Sequence, residues 1–87
     1  MKLIHKVELK LGVNTFMVGE VFRPLSVGVQ YNKLVMWFEY DYLANADTTI
    51  TVNVYHTGVV IPENPGRFLG TVILEDGQYI LHVYSDR

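Results

Sequence analysis

Three histidines are the first residues whose chemistry could define a function. His5, His56 and His82 lie in three separate segments that each alternate like a β-strand. Metal sites need histidines that converge or recur at a short ligand spacing, usually with carboxylates. No pair here has such a spacing, so no metal site is predicted. Each histidine is expected to form hydrogen bonds between strands.

Two threonines are the candidates for a nucleophile, because Thr57 and Thr71 each adjoin a glycine. A hydroxyl nucleophile needs a base and an orienting acid. His56 or His82 could approach in space, but the sequence has no nucleophile-elbow motif and no acidic third partner close by. Threonine is also favoured in strands for its branched side chain. We therefore predict structural threonines, no enzymatic activity and no cofactor.

Aromatic side chains and one arginine are the candidates for contacting a partner. Trp37 and Val35 share one face of an aromatic strand, and they need a cover that a second sheet or another subunit would supply. Arg67 follows a proline-glycine pair and is the best candidate for contacting an anionic ligand. The second candidate surface is the loop from Thr57 to Phe68. The predicted binding residues are Trp37, Val35, His56, Thr57, Arg67 and Phe68.

No segment long enough to form a helix has apolar residues at helical spacing. The candidate residues must therefore lie on strands or in the loops between them. About seven segments alternate between apolar and polar residues or are rich in β-branched and aromatic residues. They cover residues 2–10, 14–18, 25–31, 34–42, 49–57, 68–75 and 78–84. The pattern predicts an all-β fold, either a small antiparallel sandwich or a partly open barrel.

The final hairpin, residues 68–84, is apolar on both faces. A strand with two apolar faces is typical of the middle of a structure, so we place this hairpin centrally. Simple alternation assigns Phe68 to the same face as Val72 and Leu74.

Three dipeptides predict the turns. Asp76-Gly77 is typical of a type I′ hairpin turn, and Asn32-Lys33 indicates a second hairpin turn. Pro65-Gly66 suits the central positions of a type II turn, where glycine supplies positive φ.

The length and composition of the chain limit the types of function that it can have. Eighty-seven residues form one domain, residues 1–87, and there is no cysteine,. The seven basic residues do not cluster and the formal net charge is -2, which argues against nucleic-acid binding,. The hydrophobic content of 49% exceeds what a domain this small can bury, so homo-oligomerisation is expected,.

No membrane or targeting segment is expected. The longest uncharged run, residues 48–62, is too polar and too β-branched for a membrane helix,. At the N-terminus, Lys6 and Glu8 fall where a signal peptide needs an apolar core,.

The motifs also resemble a family of short proteins of unknown function encoded mainly by tailed bacteriophages and prophages. The resemblance covers nearly the whole chain and is densest from 57 to 84. It rests on IHKVEL at 4–9, VGVQ at 27–30, Trp37, TG at 57–58, IPENPG at 61–66, GT at 70–71 and HVY at 82–84. The chain departs from this family at His56, where glycine is more common, and at Val59, where histidine is common. The resemblance implies phage origin and expression in a bacterial host, and it transfers no activity.

Two functional hypotheses follow. The first is a non-catalytic accessory protein that self-associates and binds a host protein or a small, anionic host-made molecule in the host cytoplasm, with an anti-defence role as one form of this. The alternative is a structural or decoration component of the virion.

Overall fold

The computed structural model describes residues 1–87 and contains seven strands and no helix. The strands are β1 (Lys2–Glu8), β2 (Gly12–Val18), β3 (Phe22–Gln30), β4 (Lys33–Asp41), β5 (Thr48–His56), β6 (Arg67–Leu74) and β7 (Tyr79–Ser85). The all-β prediction is confirmed. The structure has no helical segment with the length and hydrophobicity needed to cross a lipid bilayer.

The strands form a two-layer sandwich. One sheet has the order β1-β4-β3 and the other β2-β5-β7-β6, with every pair antiparallel. The sheets pack together and do not close into a barrel, so the sandwich is the correct one of the two predicted architectures. Strand β7 lies between β5 and β6, as its two apolar faces predict. Strand β6 is an edge strand, however, so the central position predicted for the whole hairpin is correct for β7 alone. The sheets approach each other at β3 and β6, where Arg67 Nη2 donates a hydrogen bond of 3.2 Å to the Pro24 carbonyl.

The core lies between the sheets and follows from alternation along each strand. In β5, Ile50, Val52 and Val54 are buried, whereas the residues between them are half-buried. Met36 of β4 and Val83 of β7 are equally buried in the facing layers. The complete buried cluster is Leu9, Val18, Phe22, Leu34, Met36, Ile50, Val52, Val54, Val72, Leu81 and Val83.

The turn of the last hairpin is the predicted type I′ turn. Asp76 and Gly77 have φ values of 55° and 93°. The Gln78 N–H donates a 3.1 Å hydrogen bond to the Glu75 carbonyl and closes the turn,. Glycine tolerates the second of these angles without steric cost, which explains the choice of residue.

The turn between β3 and β4 lies one residue earlier than predicted. Gln30 pairs with Lys33, so the two turn residues are Tyr31 and Asn32, with φ values of 53° and 58°. The prediction of Asn32-Lys33 was wrong because it gave the left-handed conformation to asparagine alone, whereas the register also requires it of a tyrosine.

A β-bulge changes the face of Phe68. Phe68 pairs with Tyr84 and Gly70 pairs with Val83, which leaves Leu69 as an extra residue in β6. The bulge reverses the alternation, so Phe68 points outward while Val72 points into the core,. The prediction that these two residues share a face was therefore wrong.

Candidate functional site

The outer face of the four-stranded sheet is the surface with the most unusual composition. We call it the uncharged face, because none of its outward residues is Lys, Arg, Asp or Glu. The outward residues are Val13, Thr15, Met17, Thr49, Thr51, Asn53, Tyr55, Phe68, Thr71, Ile73, Ile80, His82 and Tyr84. Large apolar side chains are exposed across it, and such a patch is typical of an interaction surface.

An aromatic group occupies the middle of the uncharged face. Tyr84 of β7 is flanked by Tyr55 of β5 and Phe68 of β6. The Tyr84 ring centroid is 6.0 Å from that of Tyr55 and 5.3 Å from that of Phe68, in tilted and edge-on arrangements. Such geometries are favourable for aromatic rings, so the three side chains form a pre-ordered contact surface.

A hydrogen-bond network centred on His82 adjoins these rings. The Thr57 hydroxyl is 2.7 Å from Nε2 of His82, and the Thr71 hydroxyl is 2.9 Å from Nδ1. In neutral imidazole one nitrogen donates to a threonine oxygen while the other accepts from the second hydroxyl. The network therefore ties the start of the loop after β5 to the two strands beside it.

The same network bears on the chemistry of Thr57. Its distance to His82 is within the range of a nucleophile and its base. The other ring nitrogen meets Thr71, however, and not the carboxylate that would orient and charge-stabilise a catalytic imidazole. The arrangement is suited to fixing a loop on a surface.

A shallow depression of about 200 Å³ lies next to the network. It brings together two residues of the predicted binding set, His56 and Thr57, with His82 and the loop after β5. Its lining consists of Tyr55, His56, Thr57, Gly58, Val59, Ile61, His82 and Tyr84. The sequence analysis named His82 as a possible neighbour of Thr57 but did not name Tyr84, because its proximity to the loop depends on the pairing of β5 with β7.

The family comparison agrees with the resemblance at the level of an uncharacterised domain. A family model described as a domain of unknown function, DUF7352, matches residues 1–87. The chain belongs to this family. No curated protein and no solved structure matches it significantly.

The outer face of the three-stranded sheet of the DUF7352 domain differs sharply from the uncharged face. It carries ion pairs between β1, β3 and β4, including Lys2 with Glu39 at 3.8 Å and Arg23 with Glu39 at 3.7 Å. A further pair joins Lys33 to Glu8 at 3.5 Å. Exposed pairs of this kind contribute little stability, but they favour contact with water.

Trp37 and Val35, predicted to need an external cover, lie on this charged face of the DUF7352 domain. Val35 is only 6% exposed within the single chain. Trp37 is half-buried and lies over Gly28, where an added methyl group would be 2.9 Å from Trp37 Cζ3. The same sheet therefore supplies much of the cover that these two side chains require.

The two remaining predicted binding residues, Arg67 and Phe68, lie in different parts of the structure. Arg67 bonds to the Pro24 carbonyl and so links the sheets, away from the His82 network. Phe68 joins the aromatic group of the uncharged face. No three His, Asp or Glu side chains converge in a way that could hold a metal ion.

Replacing His82 of the DUF7352 domain by alanine should lower the free energy of unfolding by about 2 kcal/mol. The change removes two hydrogen bonds, each contributing about 1 kcal/mol, and some packing of a half-buried ring. Urea denaturation measures the loss. His5→Ala is the matched control, because His5 is exposed and bonds only to the adjacent Lys6 carbonyl; it should cost about 0.5 kcal/mol or less. Equal losses for both variants would contradict the structural role of His82.

Proposed function

We propose that this protein is a non-catalytic binding protein that self-associates through the uncharged face. The observation that carries this proposal is the contrast between the two outer surfaces. One sheet displays paired charges, whereas the strand residues on the outer face of the other are neutral and surround an aromatic group. A carboxylate beside them, that of Asp86, lies at the margin and accepts a hydrogen bond from the Thr51 N–H. Charged residues are depleted and Tyr, Phe and Met are enriched at the cores of protein interfaces.

A second copy of the chain is the partner that fits this face best. In a two-fold dimer the same patch meets itself, so any charge on it would meet a like charge or lose its water. The uncharged face avoids both costs. Its β-branched side chains also suit packing of one sheet against another,.

The loop after β5 is the surface we assign to a second partner. Val59, Val60 and Ile61 are all exposed there, beside the depression formed with Thr57. The His82 network fixes the start of this loop and so reduces the entropy lost on binding. In our proposal this partner is a host protein or a host-made small molecule, encountered in the bacterial cytoplasm.

Phage origin is part of the proposal and is supported by the sequence motifs that resemble tailed-phage and prophage proteins. The alternative role, as a structural component of the virion, predicts many copies in each purified phage particle. Mass spectrometry of such particles distinguishes the two roles, and abundant copies would contradict the accessory role.

A matched pair of isoleucine substitutions tests self-association. Ile73 on the uncharged face is 60% exposed, and Ile4 on the charged face is 65% exposed. Ile73→Lys should raise the dimer dissociation constant at least about tenfold, because the interface would have to desolvate an unpaired ammonium group. Ile4→Lys should leave it unchanged. Sedimentation velocity over a concentration series measures both.

Three outcomes would contradict the proposed interface. These are a monomeric wild-type protein at high concentration, an equal effect of the two lysines, and a larger effect of Ile4→Lys. Circular dichroism of each variant verifies that an altered dissociation constant does not arise from unfolding.

A further inference from the structure

A second concave feature lies between the sheets and shares only Met17 with the uncharged face. It is a cavity of about 310 Å³ that opens beside the segment joining β4 to β5. Three strands of one sheet and β2 of the other contribute to its walls. Its lining consists of Val7, Phe16, Met17, Val18, Gly19, Phe22, Met36, Phe38, Tyr40, Asp41, Ala44 and Ala46.

The walls of this cavity are apolar and aromatic. Ten of the 12 lining residues are hydrophobic. Met36 is completely buried, and the Phe38 ring packs 4.9 Å from Phe22 and 5.6 Å from Tyr40, measured between centroids. The entrance is lined by the small side chains Ala44 and Ala46. The cavity is therefore open to solvent beside Ala44 and Ala46 and is bounded on its inner side by core residues such as Met36.

One ionised side chain lines the cavity, and its charge is already compensated. An Asp41 oxygen accepts hydrogen bonds of 3.0 Å from the Leu43 N–H and 3.2 Å from the N-terminal ammonium group. The Leu43 hydrogen bond, followed by that of the ammonium group, holds the pKa of Asp41 below its usual range,. An anionic ligand would meet no cationic side chain among the lining residues and would lose hydration on entry,.

We propose that the inter-sheet cavity binds a small, neutral, apolar molecule of about the size of two fused rings. An apolar cavity of about 150 Å³ in a protein core stays dry and accepts benzene. A space of about 310 Å³ is roughly twice as large and lies within the range of ligand sites,. Apolar walls offer water few hydrogen-bonding partners, so filling by such a ligand is favoured over filling by water.

Three probes of graded size and charge test this assignment on the wild-type chain. Indole matches the proposed ligand, benzene is smaller, and indole-3-carboxylate adds a negative charge. Indole should bind with 1:1 stoichiometry and about fivefold more tightly than benzene, since it buries more apolar area. Indole-3-carboxylate should bind at least about tenfold more weakly than indole, because its charge must be desolvated. Calorimetric titration measures the affinities.

The location of the probe is tested by amide NMR and by two variants. Indole should shift the signals of Val7, Phe16 and Phe38 and leave those of Ile73 and Tyr84 unchanged. Val7→Phe fills the cavity from β1 and should weaken indole binding at least about tenfold. Ile73→Ser, on the uncharged face, should have no effect on it.

The proposal is overturned if indole does not bind saturably, or if its shifts map to the uncharged face. It is also overturned if Ile73→Ser abolishes binding while folded Val7→Phe retains it. The NMR map uses the wild-type protein, so the test holds even if Val7→Phe does not fold. Dimerisation through the uncharged face is measured separately and can fail without affecting this result.

Discussion

Gly66→Ala is expected to destabilise the fold by about 3 kcal/mol, a large fraction of the stability of a domain this size. Gly66 has a φ of 99°, a conformation that costs an L-residue about 1–2 kcal/mol,. In addition, a β-carbon there would lie 2.5 Å from the Ser85 carbonyl oxygen. That oxygen belongs to the backbone of β7, next to a fully buried side chain, and cannot move without disturbing the sheet. Urea denaturation measures the change.

Gly58→Ala is the matched control for this prediction. Gly58 has a φ of 93°, but no atom lies within 4 Å of a β-carbon added there. This variant should lose only the conformational part, about 1 kcal/mol. The difference between the two variants isolates the contact with β7. Equal losses would mean that the segment before β6 is not held against β7 as the structure shows.

Met36→Ala should cost about 3 kcal/mol and enlarge the inter-sheet cavity. Met36 is 0% exposed and belongs to the core cluster, so truncation removes transfer free energy and leaves a void,. The same void lengthens the cavity that Met36 lines. Chemical denaturation reports the loss, and saturating indole should restore part of it, because a ligand that binds only the native state stabilises it.

Met17→Ala is the control of the same residue type. Met17 is 59% exposed, so its truncation should cost less than about 1 kcal/mol,. A loss as large as that of Met36→Ala would contradict the burial that places Met36 at the centre of the sandwich.

Much of the fold was predictable because local patterns determine it. The alternation of Ile50, Val52 and Val54 identifies both a strand and its buried face. The apolar character of both faces of β7 predicts its central position, and Asp76-Gly77 predicts its turn. Each of these inferences depends on neighbours in sequence, where the side-chain period of a strand is fixed.

The site was less predictable because it depends on register between distant strands. The sequence suggested that His56 or His82 could approach Thr57 and Thr71, but it could not choose between the histidines, because the contact requires β7 to pair with both β5 and β6. Phe68 lies on the uncharged face because of a bulge, which simple alternation along β6 does not predict. A bulge adds one residue to a strand, and the sequence around Gly70 gives only a weak signal of it.

Trp37 illustrates that the sequence of one strand does not show what its outward side chains contact in neighbouring strands. The sequence correctly identifies two apolar outward residues, Val35 and Trp37, but it does not show what lies beside them in the sheet. The structure places Gly28 of β3 under the indole ring, so the tryptophan covers its own sheet. An outward-facing aromatic side chain in one strand can thus pack over a glycine in the neighbouring strand.

Hydroxyl-radical footprinting at low and high protein concentration can locate the self-association interface, because it reports side-chain exposure on both outer faces at once. If the uncharged face is the interface, raising the concentration should decrease oxidation of Tyr55, Phe68 and Tyr84 and leave that of Trp37 unchanged. Concentration-dependent protection of Trp37, with no change at Tyr84, would contradict this assignment and would place the interface on the charged face.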